Sequence, residues 1–218
     1  MIELVKEFYN RQELLLKDKQ NNLFGKRVAI IGAGGLGSTI AYALGSVGLK
    51  EIIIVDFDIV SVSNIQRQIM FSFDDENKFK VDCFKKLENR SYTKITPLVM
   101  NASDFFDTYP NVDLIMDATD NVETRLVIDT YAKKNNIAWV YASVEEFFIN
   151  FGIIKEKEFL FNKEVKRVKP QTTPMVMLSA CLASSLALKY LAGYDVKINY
   201  VYYFDISKDI INLNKFNL

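Results

Sequence analysis

Residues 27–68 read RVAIIGAGGLGSTIAYALGSVGLKEIIIVDFDIVSVSNIQRQ, and their pattern predicts the central fold of the chain. It begins with a continuous apolar run at 28–31, which is typical of a parallel strand covered on both faces. A glycine turn and a helix to about Val47 follow. A second apolar run at 51–56 predicts the next strand. The strand–helix–strand unit predicts a doubly wound α/β sheet.

The glycine turn, GAGGLG at 32–37, has the G-x-G-x-x-G spacing of nucleotide-binding turns. Gly32 permits the tight turn, Gly34 lets the backbone approach a phosphate, and Gly37 lets the helix pack against the strand. The free N–H groups at the start of the helix favour an anion. The spacing alone is a weak signal, but its place between a strand and a helix predicts a nucleotide phosphate site.

Asp56 ends the second strand, 19 residues after Gly37, where an acidic residue can bind ribose hydroxyls. The alternative is an aspartate that only stabilises a turn. The residues that follow are unusually polar, and they include Asp58, Asn64, Arg67 and Gln68. They lie at the carboxyl edge of the predicted sheet, where open α/β sheets bind ligands. Because a guanidinium matches phosphate oxygens, this tail favours a triphosphate over the nicotinamide cofactor of a dehydrogenase.

A second polar cluster follows a later strand. The pattern predicts a strand at 112–117, the segment ATDN at 118–121 and a helix at 122–135. Asp120 beside a phosphate site is a natural Mg²⁺ ligand. It is equally a candidate N-cap of the helix, although Asn121 could cap instead. Position alone leaves these interpretations open.

The remaining segments are predicted to extend a single nucleotide-binding domain. We divide it into an N-terminal helical segment at 1–24, a core at 25–154, a mobile crossover loop at 155–173, and a helix and hairpin at 174–218. The predicted buried face of the first helix consists of Leu4, Val5, Phe8, Leu14, Leu15 and Leu16. Antiparallel strands are expected from about residue 147 onward, with a last turn at 207–209. The expected fold is a Rossmann-like α/β sheet, parallel in its N-terminal half and antiparallel in its C-terminal half.

Composition excludes several classes of function. Basic and acidic residues balance at 27 each, so bulk charge predicts neither a nucleic-acid nor a membrane partner. Residues 174–192 come closest to a membrane span, but polar residues interrupt them, and the N-terminus lacks a signal-peptide pattern; we expect a cytoplasmic protein. The chain has no histidine, which excludes a histidine general base. Cys83 and Cys181 are both predicted to be buried helix residues.

Together these residues resemble the adenylating-enzyme family that includes ThiF, MoeB and the ubiquitin-activating enzymes. The resemblance rests on Tyr9-Asn10-Arg11-Gln12, on GAGGLG, on DFDIVSVSNIQRQ at 56–68, on Lys80 and on ATDN. The segment 172–193 matches more loosely. The family uses ATP to adenylate the C-terminal carboxylate of a small ubiquitin-like protein that ends in Gly-Gly, and it releases pyrophosphate.

The resemblance implies a role for each matching residue. The nucleotide would be held by Gly32, Gly34, Gly35, Gly37 and Asp56, with Asp58 and Asn64 close by. The phosphates would be contacted by Arg67, Gln68 and Lys80. Asp120 would bind Mg²⁺, and Arg11 would enter the active site from the partner subunit of a homodimer.

The chemistry of the family suits a chain without histidine. The nucleophile is a carboxylate with a reference pKa of about 4, so it is already ionised at neutral pH and needs no general base. Catalysis then consists of positioning and charge neutralisation. Arg11, Arg67 and Lys80, together with the Mg²⁺ held by Asp120, would supply the positive charge.

The departures from the family limit the reaction. Many relatives bind structural zinc with two C-x-x-C pairs, which a chain with only two cysteines cannot supply, so we predict no structural zinc. Some relatives carry a reactive cysteine in the mobile loop, and residues 155–173 contain none. We therefore expect the reaction to stop at the acyl-adenylate, which a separate sulfur donor would attack.

Several substrates remain open at this point. We favour a ThiS-like sulfur carrier of thiamine biosynthesis because the chain is compact. The alternatives are a MoeB-like reaction on the carrier subunit of molybdopterin synthase, adenylation of a peptide or a tRNA base, and a non-catalytic family member. The last is disfavoured because Arg11, Arg67, Lys80 and Asp120 are all present.

Overall fold

The computed structural model describes residues 2–108, 111–158, 170–208 and 210–218. The α-helices are α1 (Ile2–Leu16), α2 (Gly35–Gly45), α3 (Val62–Ile65), α4 (Ala102–Thr108), α5 (Val122–Lys134) and α6 (Thr173–Leu191). The strands are β1 (Arg27–Ile31), β2 (Glu51–Val55), β3 (Lys94–Leu98), β4 (Leu114–Asp117), β5 (Ala138–Glu145), β6 (Phe148–Ile154), β7 (Tyr200–Asp205) and β8 (Asn212–Asn217). Short 3-10 helices span Lys17–Asn22 and Phe73–Asp75, and a longer one spans Lys80–Arg90.

All these strands form one sheet in the order β3-β2-β1-β4-β5-β6-β7-β8. The pairs from β3 through β5 are parallel, and the pairs β5–β6, β6–β7 and β7–β8 are antiparallel. The predicted doubly wound sheet, parallel first and antiparallel from about residue 147, is therefore confirmed.

The central strands are apolar because helices cover both faces of the sheet. β2 reads EIIIV and is buried at every position. Ile52 and Ile54 belong to the core cluster that contains the buried faces of α2 and α6. Ile53 points the other way, into the cluster that contains residues of α4 and α5. The alternation of side chains along a strand thus divides one apolar run between two layers.

Glu51 is an exception to the apolar character of β2. It lies at the amino edge of the sheet and is 6% exposed. Its carboxylate accepts hydrogen bonds from Arg27, Lys94 and Thr96. Burial by itself would raise the pKa of Glu51, but these three partners outweigh burial and lower the pKa to about 2.

Helix α6 packs against the antiparallel half of the sheet. Its buried face consists of Met175, Val176, Ser179, Ala180, Ala183, Ser184, Ala187 and Leu191. Among the described residues, α6 is the one helix long and apolar enough to span a membrane by length and composition. In this fold its small residues instead permit close packing against β5, β6 and α2. Cys181 lies on the outer face and is exposed, so its predicted burial was wrong, whereas Cys83 is buried as predicted.

Helix α1 buries a different face from the one predicted. Tyr9 and Leu16 are buried, whereas Leu14 and Leu15 are 79% and 72% exposed. A hydrogen bond explains the difference. The Gln12 side chain donates to the carbonyl oxygen of Val47 at 2.7 Å, so the helix face with Tyr9, Gln12 and Leu16 turns inward. The α-helix ends at Leu16, and the 3-10 helix Lys17–Asn22 continues the predicted helical segment. The side chain of Leu4 lies outside the described residues.

Other predictions on the C-terminal half are met in part. Residues 159–169 of the predicted crossover loop, and Asp209 of the predicted hairpin turn, lie outside the described residues. The last strand, β8, follows that turn and begins at Asn212. It forms an edge of the sheet, and Leu213 and Phe216 on it are 60% and 59% exposed.

Candidate active site

A cleft of about 240 Å³ lies at the carboxyl ends of β1, β2 and β4. The strand order reverses at β1, because β2 lies on one side of it and β4 on the other. Open α/β sheets bind ligands at such a topological switch point. The chain therefore places its cleft where the fold favours a nucleotide.

The glycine turn forms the floor of the cleft between β1 and α2. Gly32 has φ +101°, a left-handed conformation that side chains rarely adopt. A Cβ on Gly37 would lie 2.0 Å from the carbonyl oxygen of Gly32, so the start of α2 lies directly against the turn. No described side chain caps α2, and Gly34, Gly35 and Leu36 line the cleft. The first N–H groups of α2 are therefore available to an anion.

Asp56 lines the cleft and also braces two of its loops. One carboxylate oxygen accepts the N–H of Ala33 in the glycine turn at 2.7 Å. The other accepts the N–H of Asp58 at 2.8 Å. The turn-stabilising role that we considered as an alternative is thus present. Binding of a ribose by Asp56 stays a prediction.

Lys80 and Asp58 form an ion pair at the mouth of the cleft. The Lys80 Nζ lies 2.8 Å from Asp58 Oδ2, and both residues line the cleft. Lys80 is buried, and its backbone N–H also donates to the Asp58 carbonyl at 2.9 Å. The pair holds a buried ammonium at the start of the 3-10 helix Lys80–Arg90, facing the cleft.

Arg67 and Gln68 reach the cleft from the segment after α3. Arg67 donates from Nε to Gln171 Oε1 at 3.1 Å and from Nη1 to the Ser63 carbonyl at 3.1 Å, which orients its guanidinium. Gln68 is 5% exposed, and its buried Oε1 accepts no hydrogen bond from the described residues. Buried polar atoms are normally hydrogen-bonded, so an orphaned acceptor on a cleft wall fits a ligand that supplies a donor.

The structure separates the roles of Asp120 and Asn121. Asn121 Oδ1 accepts the N–H of Thr124 at 2.7 Å and so caps α5. Asp120 is exposed, lines the cleft and makes no hydrogen bond within the described residues, so the N-cap interpretation of Asp120 was wrong.

Magnesium binding by Asp120 stays a prediction. The described residues contain no cluster of three or more His, Cys, Asp or Glu that could hold a metal. Mg²⁺ at phosphate sites commonly takes only one or two carboxylates besides substrate phosphates and water. The single carboxylate of Asp120 fits that mode.

Three predicted site residues do not line the cleft. Arg11 is exposed on α1, and a role in a partner's site stays a prediction. Asn64 turns its Oδ1 to the N–H of Ser61 at 3.2 Å, where it caps α3. Gly37 lies behind the turn, where it serves the packing of α2.

A buried ion pair that was not predicted from the sequence, Asp117–Arg125, lies next to Asp120 in the chain. Asp117 ends β4 and is fully buried, and Arg125 on α5 is 5% exposed. Arg125 Nε donates to Asp117 Oδ2 at 2.8 Å. Burial raises the pKa of the Asp117 carboxyl, and the Arg125 guanidinium opposes that rise. The available signal was an acid at a strand end followed eight residues later by an Arg inside a helix.

A second cavity of about 450 Å³ adjoins the cleft. The two share Arg125, Ser143 and Val144. The remaining walls of the second cavity are Tyr141, Glu145, Glu146, Phe148, Asn150 and Tyr203. Most of these lie on one face of β5, β6 and β7. The arrangement therefore lets a second reactant approach a molecule in the cleft from the antiparallel half of the sheet.

Comparison with known families agrees with this architecture. The model described as ThiF family matches residues 9–217. The chain belongs to the ThiF family. The motifs that carried the resemblance, from Tyr9 to ATDN at 118–121, all lie within the matched residues.

Curated members of the ThiF family match over part of their length. The sulfur carrier protein ThiS adenylyltransferase of Bacillus subtilis is 35% identical over 157 residues, which are 67% of this chain and 46% of that protein. The molybdopterin-synthase adenylyltransferase of Haemophilus influenzae is 34% identical over 139 residues, 59% of this chain and 57% of that protein. The matches thus span about half the length of these relatives.

Solved structures share the fold. E. coli MccB with MccA-N7isoASN superposes with a TM-score of 0.85 at 20% identity, covering 97% of this chain and 71% of that chain. PaaA gives a TM-score of 0.83 at 21% identity, covering 97% of this chain and 73% of that chain. These structures therefore share the fold of this chain at low sequence identity.

Proposed function

We propose that the chain is an ATP-dependent adenylyltransferase that activates the C-terminal carboxylate of a small ubiquitin-like sulfur-carrier protein. The observation that carries the proposal is the convergence of the glycine turn, Asp56, Arg67, Lys80 and Asp120 on one cleft at the switch point of the sheet. Membership of the ThiF family and the similarity to a ThiS adenylyltransferase support it.

The reaction forms one bond and breaks one. A carboxylate oxygen of the acceptor attacks the α-phosphorus of ATP, the bond between that phosphorus and the bridging oxygen to the β-phosphate breaks, and pyrophosphate leaves with its charge. An ionised carboxylate has no proton to remove, which agrees with a chain that has no histidine. The barrier lies in bringing an anion to a polyanion, so the protein acts by positioning and charge neutralisation.

The cleft offers groups for each part of that task. The N-terminus of α2 and the glycine turn would bind phosphate oxygens through backbone N–H groups. The Arg67 guanidinium, oriented by Gln171, and the Lys80 ammonium, held by Asp58, would face the charge that develops on the leaving pyrophosphate. Bound Mg²⁺ would neutralise phosphate charge, with Asp120 as its protein ligand.

The second cavity supports a carrier tail as the acceptor. It lies on the face of β5–β7 and continues into the cleft at Ser143 and Val144. An extended C-terminal segment entering there would bring its carboxylate to the nucleotide while the carrier's folded domain stays outside. After the reaction, a separate sulfur donor would attack the acyl-adenylate.

A homodimer with Arg11 acting in the partner's cleft is part of the proposal. Arg11 lies on the exposed side of α1 near Leu14 and Leu15, which are 79% and 72% exposed. Burial of such apolar side chains in an assembly is favourable. That surface supports docking of α1 against a second copy.

A second candidate acceptor is the carrier subunit of molybdopterin synthase. The identity to a molybdopterin-synthase adenylyltransferase is 34%, close to the 35% for the ThiS adenylyltransferase. Both acceptors demand the same chemistry in the cleft, so the choice between them depends on the carrier alone.

The deciding experiment incubates the chain with ATP, Mg²⁺ and one purified carrier at a time, followed by intact mass. We expect one Gly-Gly carrier to gain an adenylyl group, and the same carrier with a C-terminal amide to gain none. Arg67→Ala should lower the rate roughly 100-fold. Arg90→Ala, at an exposed arginine outside the cleft, is the matched control and should leave it unchanged. Failure of every carrier to react, together with absent pyrophosphate exchange, would refute the proposal.

A further inference from the structure

Arg125 of the buried pair Asp117–Arg125 lines both cavities, and neither member of the pair belongs to the predicted site. We propose that this pair is a positioning unit that holds Asp120 in the nucleotide cleft and sets it relative to the acceptor strand β5. The inference rests on the proposed function, because it concerns the alignment of the two reactants. Neither residue has to touch a substrate for this role.

Both members of the pair hold the turn at Thr119. Asp117 Oδ1 accepts the Thr119 N–H at 2.9 Å and the Thr119 hydroxyl at 2.7 Å. Arg125 Nη2 donates to the Thr119 carbonyl at 2.8 Å. The pair thus engages every polar group of Thr119, and a residue held in this way has little conformational freedom left.

The next residue in the chain is Asp120. Its carboxylate extends into the cleft and makes no hydrogen bond within the described residues. Its place in the cleft is therefore determined by the backbone that Thr119 supplies. The same turn lies against the glycine turn, since a Cβ on Gly32 would come within 2.6 Å of the Ala118 carbonyl oxygen. Holding Thr119 thus holds Asp120 relative to the phosphate-facing backbone.

The second step is the contact with β5. Arg125 Nη2 also lies 3.5 Å from the carbonyl oxygen of Ala142, and the guanidinium carbon is 5.1 Å from the centre of the Tyr141 ring. Ala142 immediately precedes Ser143 and Val144, which line both cavities. One guanidinium therefore connects the turn that carries Asp120 with the strand along which the acceptor would approach.

The role requires arginine rather than a positive charge alone. A guanidinium is a planar fork whose Nε and Nη2 bond partners in different directions at once, whereas a lysine ammonium is a point charge on a flexible stem. Arg125→Lys keeps the charge beside Asp117 but cannot reproduce the fork.

Arg27→Lys is the matched control. Arg27 pairs through Nε with a buried carboxylate, Glu51, at the same 2.8 Å, and its Nη1 donates to the Asn111 carbonyl. It lies at the opposite edge of the sheet, outside both cavities. An effect of weakening an arginine–carboxylate pair in general would appear in both variants.

The test measures ATP binding by calorimetry in Mg²⁺ and in EDTA, and amide exchange by mass spectrometry, on the full chain. Mg²⁺ should raise the affinity for ATP, and we expect this gain to be about tenfold smaller in Arg125→Lys, as for the loss of groups that orient a metal ligand. Affinity in EDTA should change less than about twofold, because the glycine turn is intact. Exchange should accelerate in peptides covering 118–121 and 142–144. Arg27→Lys should change none of these quantities.

The outcomes are separable. A folded Arg125→Lys chain with an unchanged Mg²⁺ gain and unchanged exchange at 118–121 would overturn the inference. If that variant does not fold, Thr119→Val is used instead, because it removes only the hydroxyl bonded to Asp117. It should show smaller changes in the Mg²⁺ gain and in amide exchange at 118–121, and the absence of both changes would also overturn the inference. A wild-type chain that binds ATP in neither buffer would refute the proposed function, and the exchange data would still decide whether the pair holds the turn.

Discussion

Replacing Gly37 by alanine is expected to destabilise the fold because it forces α2 away from β1. A Cβ at this position would lie 2.0 Å from the Gly32 carbonyl oxygen and 3.0 Å from its carbonyl carbon. Gly45 provides a matched control in the same helix. It is also buried, but a Cβ there would meet nothing within 4 Å. The same added methyl group is thus expected to destabilise the fold at Gly37 but not at Gly45.

The magnitude follows from the distance that must be recovered. Real Cβ atoms essentially never approach another atom closer than 3.0 Å, so α2 must shift by about 1 Å. Overpacking a core lowers the free energy of unfolding by about 1–3 kcal/mol. We expect a loss of about 3 kcal/mol for Gly37→Ala, because the clash is between two backbone segments and no side chain can rotate to relieve it. Alanine at Gly45 removes the helix penalty of glycine and should stabilise the fold by up to about 1 kcal/mol.

Urea unfolding followed by tryptophan fluorescence measures both variants. Trp139 is the single tryptophan of the chain and is fully buried, so its emission reports the state of the core. With a urea dependence of about 1–3 kcal/mol/M, the Gly37→Ala midpoint should fall by about 1 M or more, and the Gly45→Ala midpoint should stay or rise. Equal midpoints for the two variants would refute the steric argument.

Three further predictions concern other parts of the fold. The pKa of Glu51 is about 2 in the folded chain, below its unfolded value of 4.5. The ionised carboxylate therefore contributes at most about 3 kcal/mol to the free energy of unfolding at neutral pH, and this contribution is lost as the pH falls from 4.5 toward 2. Glu51→Gln should make the urea midpoint depend less on pH across that range. An unchanged pH dependence would contradict the lowered pKa of Glu51. Asn121→Ala should cost about 1 kcal/mol through loss of the α5 cap, measured by urea unfolding; Asn121→Ser should recover most of it. In the native chain a thiol reagent should modify Cys181 rapidly and Cys83 slowly, since burial protects Cys83 and raises its pKa; rapid modification of both would show that the core opens there.

The parallel core could be predicted because several local signals agree there. The apolar run of β1, the glycine turn and the apolar run of β2 each demand the same strand–helix–strand geometry. The placement of Arg67 at the cleft could be anticipated because it follows β2 at the carboxyl edge of the sheet, where open α/β sheets bind ligands. Lys80 was expected there only from the family resemblance.

What could not be predicted depends on tertiary contacts. The inward face of α1 follows from a hydrogen bond of Gln12 to Val47, 35 residues away, and hydrophobicity alone selected Leu14 and Leu15 instead. The choice between Asp120 and Asn121 as the cap of α5 depends on which side chain reaches the N–H of Thr124, and in the folded chain Asn121 reaches it. The Asp117–Arg125 pair escaped notice because a buried charge looks in sequence like any charge on a helix surface.

The register of β1 with β4 also has consequences for how the chain folds. β5 and β6 are joined by the two residues 146–147, so their hairpin can form locally. By contrast, Ile31 pairs with Asp117 across more than 80 residues, and closing so long a loop slows folding. The cleft requires this pairing, because its walls come from the ends of both strands. During synthesis this pairing can form only after residue 117 has left the ribosome, and the cleft is complete only after Val176, its last described wall residue, has followed. A bound ligand would then favour the closed sheet over any partly folded chain.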